Sequence, residues 1–226
     1  MPTFVPVSRT QTNFRSLVLG YVQADNLSDS ELTAVADEAL DSATGRINSR
    51  NWHKILGNAT ATLVADQISY TFASGFSSVI SDVRDPIALM KRDTNANRSG
   101  RIAYKAFKSM LVEHPSAGTS GTVSVYSMDY QNRQLTFDRA PDAAFVASYP
   151  SVDFWYHRRI AELSGTSDDM DVPPDFDWYI VWHARMEVAE HLGFDRKADR
   201  ALQMMERQWQ ALTRDDNEVE TDWSEW

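Results

Sequence analysis

The apolar residues of this chain change their spacing twice, and those two changes limit its fold more than any other feature. Before about residue 58 and after about residue 164 they recur every three or four positions, the period of a helix face. Between those points they alternate with polar residues, the period of a half-buried strand. The order is therefore helix, helix, β block, helix, helix, with no internal repeat.

Phe14, Leu17, Val18 and Tyr21 sit at helical spacing behind Thr12 and Asn13, either of which is suited to cap a short helix that stops near Asp25. Ser28 followed by Glu31 makes a capping box. Leu32, Val35, Ala36, Ala39, Leu40, Ala43 and Ile47 then form one stripe over about five turns. Trp52, Ile55 and Leu56 are expected to fold back onto the same core. From about Thr60, Ile68, Tyr70 and Phe72 alternate with polar neighbours. Further strands are predicted over Val79–Met90 with an interruption at Pro86, then Thr122–Met128, Gln134–Phe137 and Val152–Leu163. Turn chemistry at 116–121 and Asn132 joins them as an antiparallel sheet, and a short helix is predicted within Arg101–Glu113. A Ser, Gly, Asp and Pro linker over 164–175 precedes two more helices. Tyr179, Trp182, Met186 and Ala189 line the first, beside Trp178 and Val181; Ala198, Ala201, Leu202, Met205, Trp209 and Leu212 line the second. Gly193 between them, with Asp195 as a cap, predicts an αα-hairpin.

The fold class is thus α+β, with a helical part over 1–57, a β domain over 58–164, the αα-hairpin over 165–213 and an extended acidic tail over 214–226. With 42% hydrophobic residues and 18 Phe and Tyr beside seven Trp, the chain buries a sizeable core unaided. It contains no cysteine, which excludes disulfide frameworks, thiolate zinc sites and cysteine nucleophiles. A net charge of −10 argues against a large basic nucleic-acid surface. No apolar run reaches the roughly 20 residues a membrane helix needs. Phe14–Val22, the best leader candidate, carries Arg15 and lacks a cleavage site, so a soluble, unexported protein with no membrane partner is expected. Residues 215–226 hold six acids and no Lys or Arg.

Candidate chemistry is sparse. Asp93, Asn95 and Asn97 begin an EF-hand-like loop, but Arg98 replaces the turn glycine and Tyr104 the bidentate glutamate, leaving a polar connection. His183, Glu187 and His191 fall at i, i+4, i+8, one helical stripe able to nucleate a metal site, though without H-E-x-x-H spacing. Asp168, Asp169, Asp171, Asp175 and Asp177 offer carboxylate pairs whose separation the sequence cannot show. These two sets define the alternative reading, a metal- or carboxylate-dependent hydrolase. No phosphate-loop, dinucleotide or nucleophile-elbow motif occurs, and Gly118–Gly121 lacks the lysine and length of a phosphate loop. Two glycosylation acceptors, at Asn58 and Asn97, carry no meaning without secretion. No cofactor is expected. Trp178, Trp182 and Trp209 have core spacing, whereas Trp223 and Trp226 lie in the acidic terminus with no periodicity to bury them, and so suggest a partner.

Taken in order, these elements resemble the head-to-tail adaptor (connector) proteins of tailed bacteriophages. The residues that carry the resemblance are the helix from Ser28 to Trp52 with its aromatic end Trp52-His-Lys-Ile55, and the threonine-rich Ala61–Phe72 entering Ser69-Tyr-Thr-Phe72. With them go the strand and proline of Gln134–Pro141, and the helical pair of Trp178–Leu192 and Asp195–Leu212. Their span is about 12–213. The resemblance implies a helical bundle with an inserted β domain and a non-enzymatic virion protein at the head-tail junction, assembled in the host cytoplasm. It implies a homo-oligomeric ring of twelve copies between the portal protein and a tail tube or nozzle protein. Genomic DNA would pass through its lumen without sequence-specific binding. In that setting Glu220, Asp222, Trp223 and Trp226 are the predicted partner-binding residues: charge guides the encounter, tryptophan anchors it, and the tail is expected to be poorly ordered until docked against the portal.

Overall fold

A computed structural model describes residues 9–22, 29–80, 83–113, 119–160 and 172–223. The architecture is α+β. In chain order the elements are α1 (Gln11–Val22), α2 (Asp29–Ile47), β1 (Leu56–Thr62), β2 (Ser69–Thr71), β3 (Val83–Arg92), β4 (Arg98–Tyr104), α3 (Phe107–Glu113), β5 (Ser120–Gly121), β6 (Val125–Asp129), β7 (Gln134–Phe137), β8 (Ala140–Pro141), α4 (Ala143–Ser148), β9 (Ser151–Arg158), a 3-10 turn (Pro174–Phe176), α5 (Asp177–His191) and α6 (Asp195–Trp223). They form two compact units, one of residues up to Ile55 together with those from Ile160 on, the other of Leu56–Arg159.

In the helical unit the predicted α2 stripe is the buried face: Leu32, Ala36, Ala39, Leu40, Ala43 and Ile47 are all buried, with Val35 packed beside them. In α1, Phe14, Val18 and Val22 are buried. Thr12 and Asn13 lie inside α1 and do not cap it; the carbonyl of Thr10 receives the first helical N–H groups, from Asn13 and Phe14. The Ser28 half of the predicted capping box lies outside the described residues. Helix α5 departs most from its predicted stripe. Its buried residues are Tyr179, Ile180, Val181, His183, Ala184, Val188 and Ala189, because α1, α2 and α6 all pack against it, and a helix covered on several sides has no single apolar stripe. Trp178, expected in the core, is 37% exposed.

The turn from α5 to α6 closes with Phe194 N–H to Ala189 C=O (2.8 Å) and Gly193 N–H to Glu190 C=O (3.0 Å). This pair of bonds requires the left-handed conformation that Gly193 adopts at φ 70°. Asp195 is the first residue of α6 and not its cap; the Phe194 carbonyl receives the first N–H groups, from Lys197 and Ala198. Trp52 packs edge-on against Phe176 (centroids 5.0 Å apart) and Trp209 (5.1 Å), while its indole N–H donates to the Ile47 carbonyl at 2.9 Å. The predicted fold-back is present for Trp52 and Ile55, both buried in this core, whereas Leu56 begins β1 of the other unit; each such aromatic pair adds roughly 0.5–1.5 kcal/mol beyond the area it buries.

The second unit holds a seven-stranded sheet in the order β1-β9-β3-β4-β6-β7-β2 and a small β5-β8 pair. All neighbours in the large sheet are antiparallel except β4 and β6, which run parallel, as do β5 and β8. The expectation of a wholly antiparallel sheet is corrected there, because a parallel pair needs a crossover and α3 supplies it. Arg101–Glu113 is likewise split: its first residues belong to β4 and only Phe107–Glu113 is helical. Pro86 does not end its strand. It sits at a register irregularity between β3 and β9, where a ladder N–H can be spared. Strand β1, unforeseen at Leu56, pairs residue for residue with β9 from Leu56↔His157 to Thr62↔Ser151. Gly57 lies opposite Tyr156, and a Cβ there would fall 2.2 Å from the tyrosine ring, so this row closes only on glycine. Phe72, Phe76, Tyr126 and Tyr156 gather around the fully buried Phe154 in the core of this unit.

Candidate docking site

Helix α6 runs through residue 213, where a separate tail was expected to begin, and continues to Trp223. At about 1.5 Å per residue its 29 residues span about 44 Å. The helix is anchored one turn past the expected boundary. Asp216 is completely buried; its Oδ1 accepts the His53 backbone N–H at 2.8 Å, and its Oδ2 lies 3.5 Å from both Arg50 Nη2 and His53 Nδ1. Arg50 also donates to Asn217 Oδ1 at 2.7 Å and stacks over Trp52, 4.8 Å from the ring centroid. Asp216 and Asn217 thus tie α6 to the segment after α2, and the last turns of the helix carry the backbone of Glu220, Asp222 and Trp223. Trp226 lies outside the described residues. Sequence reasoning missed Asp216 because it is one of six acids in a terminal run, 215–226, that contains no base. Its place four residues after Leu212, on the same helical stripe, was the available signal.

The His183, Glu187, His191 stripe is brought together only in part. His183 is buried, its Nδ1 lies 3.7 Å from Glu187 Oε1, and Glu187 Oε1 accepts a hydrogen bond from Ser42 Oγ at 2.7 Å. His191 is exposed. Burial, reinforced by the positive charge of Arg46, holds the His183 imidazole below its ordinary pKa and so neutral. Burial likewise raises the Glu187 carboxyl against the pull of the Ser42 hydroxyl. Among the described residues no group of three or more His, Asp and Glu is placed to hold a metal ion. Of the aspartates, Asp175 pairs with Lys54 at 3.0 Å. Asp177 takes Arg9 Nη2 at 2.6 Å and Nε at 3.1 Å, while the same Nη2 donates to the Val172 carbonyl. Burial raises the Asp177 carboxyl, and the Arg9 contact opposes it. Both aspartates fasten chain segments to each other. Asp168, Asp169 and Asp171 lie outside the described residues. The EF-hand-like residues form a turn in which Asp93 Oδ1 accepts the Asn95 and Asn97 N–H groups, both at 2.9 Å.

Charge divides along the same line as the fold. Leu56–Arg159 holds eleven Lys and Arg against nine Asp and Glu, whereas the rest of the chain holds eleven against 23. The entire negative surplus belongs to the helical unit. No helix among the described residues is long and apolar enough to cross a membrane.

The described residues thus comprise an acid-rich helical unit and a sheet unit, with no assembled metal or carboxylate centre among them. A family model, that of the SU10 adaptor proteins, matches residues 12–224, and the chain belongs to this family of phage head-to-tail adaptors. Membership makes it a structural component of a tailed-phage virion, of a kind that associates with portal and tail components. The matched span extends over Glu220, Asp222 and Trp223. No curated protein matches the chain.

Proposed function

We propose that copies of this protein form a ring, of twelve subunits, that joins the portal protein to the tail tube or nozzle and lines the DNA exit channel. The family match over 12–224 carries this reading. The helices of 1–57 and 165–213 form a bundle that sits in the ring, with 58–164 as an inserted domain. Residues 214–226 form the portal-docking end, in which Glu220 and Asp222 steer and Trp223 and Trp226 anchor. The protein acts without a cofactor, is not an enzyme, and assembles in the host cytoplasm. An acidic wall suits passage of DNA, since a surface that bound phosphates tightly would hold the genome back.

The burial of Asp216 determines how the docking end should be tested. Truncation after Asn217 keeps the residues of the Asp216 contacts and removes only residues 218–226, with both tryptophans. An anchoring tryptophan contributes on the order of 2 kcal/mol, so this truncation should weaken portal binding at least about tenfold while leaving the thermal unfolding of the protein intact. Equal portal binding by the truncated and full-length chains at matched salt sinks the docking role of the tail. Imaging of the junction that finds a single copy there sinks the ring.

A further inference from the structure

We propose that the β1-β9-β3-β4 part of the large sheet, on the face that bears Arg92 and Arg98, is a receptor for carboxylates of a second copy of this chain, with these arginines as the receiving pair and helix α2 as the element received. This rests on the ring reading above and names the contact between neighbouring copies.

The register sets the residues of this face. One row across β1, β9, β3 and β4 reads Thr60, Asp153, Met90, Arg101, and the next reads Thr62, Ser151, Arg92, Arg98. Asp153 is 2% exposed, its Oδ1 accepts the Thr60 hydroxyl at 2.8 Å, and its Oδ2 lies 3.2 Å from Arg92 Nε and 3.5 Å from Arg98 Nε. One buried carboxylate therefore faces two guanidinium groups and neutralises only one. Arg98 also stacks over Trp155, its Cζ 5.1 Å from the ring centroid, which fixes the plane of the fork. The arginine side chains are 32% and 53% exposed. Both are oriented from beneath by their Nε contacts, and a guanidinium held this way loses little freedom when it receives another carboxylate.

The occupant follows from the charge of the chain. The helical unit carries 23 acids against eleven bases, and α2 places Glu31, Glu38 and Asp41 on one exposed stripe in a helix whose only base is Arg46. A basic patch on one unit and an acidic patch on the other give a head-to-tail contact, the kind that closes into rings. Nucleic acid is the weaker candidate, because the same face carries acids of its own and the whole chain is at −10.

The test uses full-length protein in three forms: R98E, which alters the more exposed arginine; R92Q/R98Q, which places no new acid beside Asp153; and R98E combined with E31K/E38K/D41K. Unfolding curves establish that each is folded. Self-association at low ionic strength and copy number on portal-bearing particles are then measured. The expected result is that R98E and R92Q/R98Q each raise the concentration for half-assembly about tenfold and that the combined variant returns to within about threefold of wild type. Wild-type assembly with R92Q/R98Q assembling equally well overturns the proposal and leaves the ring standing, as does an R98E defect that α2 reversal does not correct. Retention of DNA that depends on Arg92 and Arg98, with assembly unchanged, overturns it in favour of a phosphate site. A wild-type protein that never multimerises on particles removes the ring reading itself.

Discussion

The two units spend their carboxylates differently. In the sheet unit most acids are consumed internally: Asp93 closes the β3–β4 turn, and Asp129 accepts the Gln131 and Asn132 N–H groups. Asp138 holds Ser124 and Val125, Asp142 caps α4 through the Phe145 N–H, and Asp153 faces two arginines. Among the described residues of the helical unit, Glu31, Glu38, Asp41, Glu190, Asp199 and Glu206 stand on solvent faces. A sheet domain with many turns has backbone N–H groups that need acceptors, and short acids supply them. Helices satisfy their own backbone, so their acids need not serve as acceptors for it. The net charge of a unit therefore understates the contrast between their surfaces.

The largest expected effects separate the two cores. Trp52→Ala and Phe154→Ala each remove a buried aromatic from one unit and should each cost about 3–5 kcal/mol by denaturant unfolding. Amide hydrogen exchange should place the loss of Trp52→Ala in the helical unit and that of Phe154→Ala in the sheet unit. Loss of protection throughout the chain in either variant would show that the two units unfold as one and break the comparison.

A smaller effect is expected at Asp216, a fully buried carboxylate of the helical unit that accepts a backbone N–H as several in the sheet unit do. Asp216→Ala strands the His53 N–H and weakens the hold on Arg50, and should cost about 2 kcal/mol. Asp216→Asn, which keeps an acceptor oxygen, should cost less. If the two variants are equally stable to urea, Asp216 contributes no more than its volume.

The smallest expected effect is a pH dependence. The His183 pKa is lowered by burial, so the unfolded chain takes up the proton first, and the stability linked to this residue falls as pH drops through its unfolded value near about 6.5. Glu187, with its pKa raised, acts in the opposite sense. Its folded form holds a proton longer, so its contribution declines as pH rises above the unfolded carboxylate value of about 4.3. Arg46, Glu190 and Glu38 are the neighbouring charges. Melting temperatures at pH 7 and pH 5.5 should therefore differ less in His183→Gln than in wild type, and an equal difference would remove His183 as the titrating group.

Much of the fold follows from local chemistry and was legible in the sequence. The α2 stripe, the α5–α6 turn at Gly193, the β7 strand and the change of period at each end of the sheet unit depend on neighbours within about seven residues, and such neighbours are written side by side in the chain. What only the tertiary structure decided depends on residues far apart in sequence. The pairing of β1 with β9 joins Leu56 to His157, and the parallel β4–β6 pair follows from α3 crossing over between them. Enclosure of α5 by three helices erased the stripe its residues were expected to show. Asp216 reads as one more acid in a solvated run until the fold brings the His53 amide and Arg50 to it. Local pattern determined which segments become helix or strand, because propensity and amphipathicity act over a few residues. Which carboxylates are buried and which stay at the surface was decided by contacts that exist only after the chain has closed on itself.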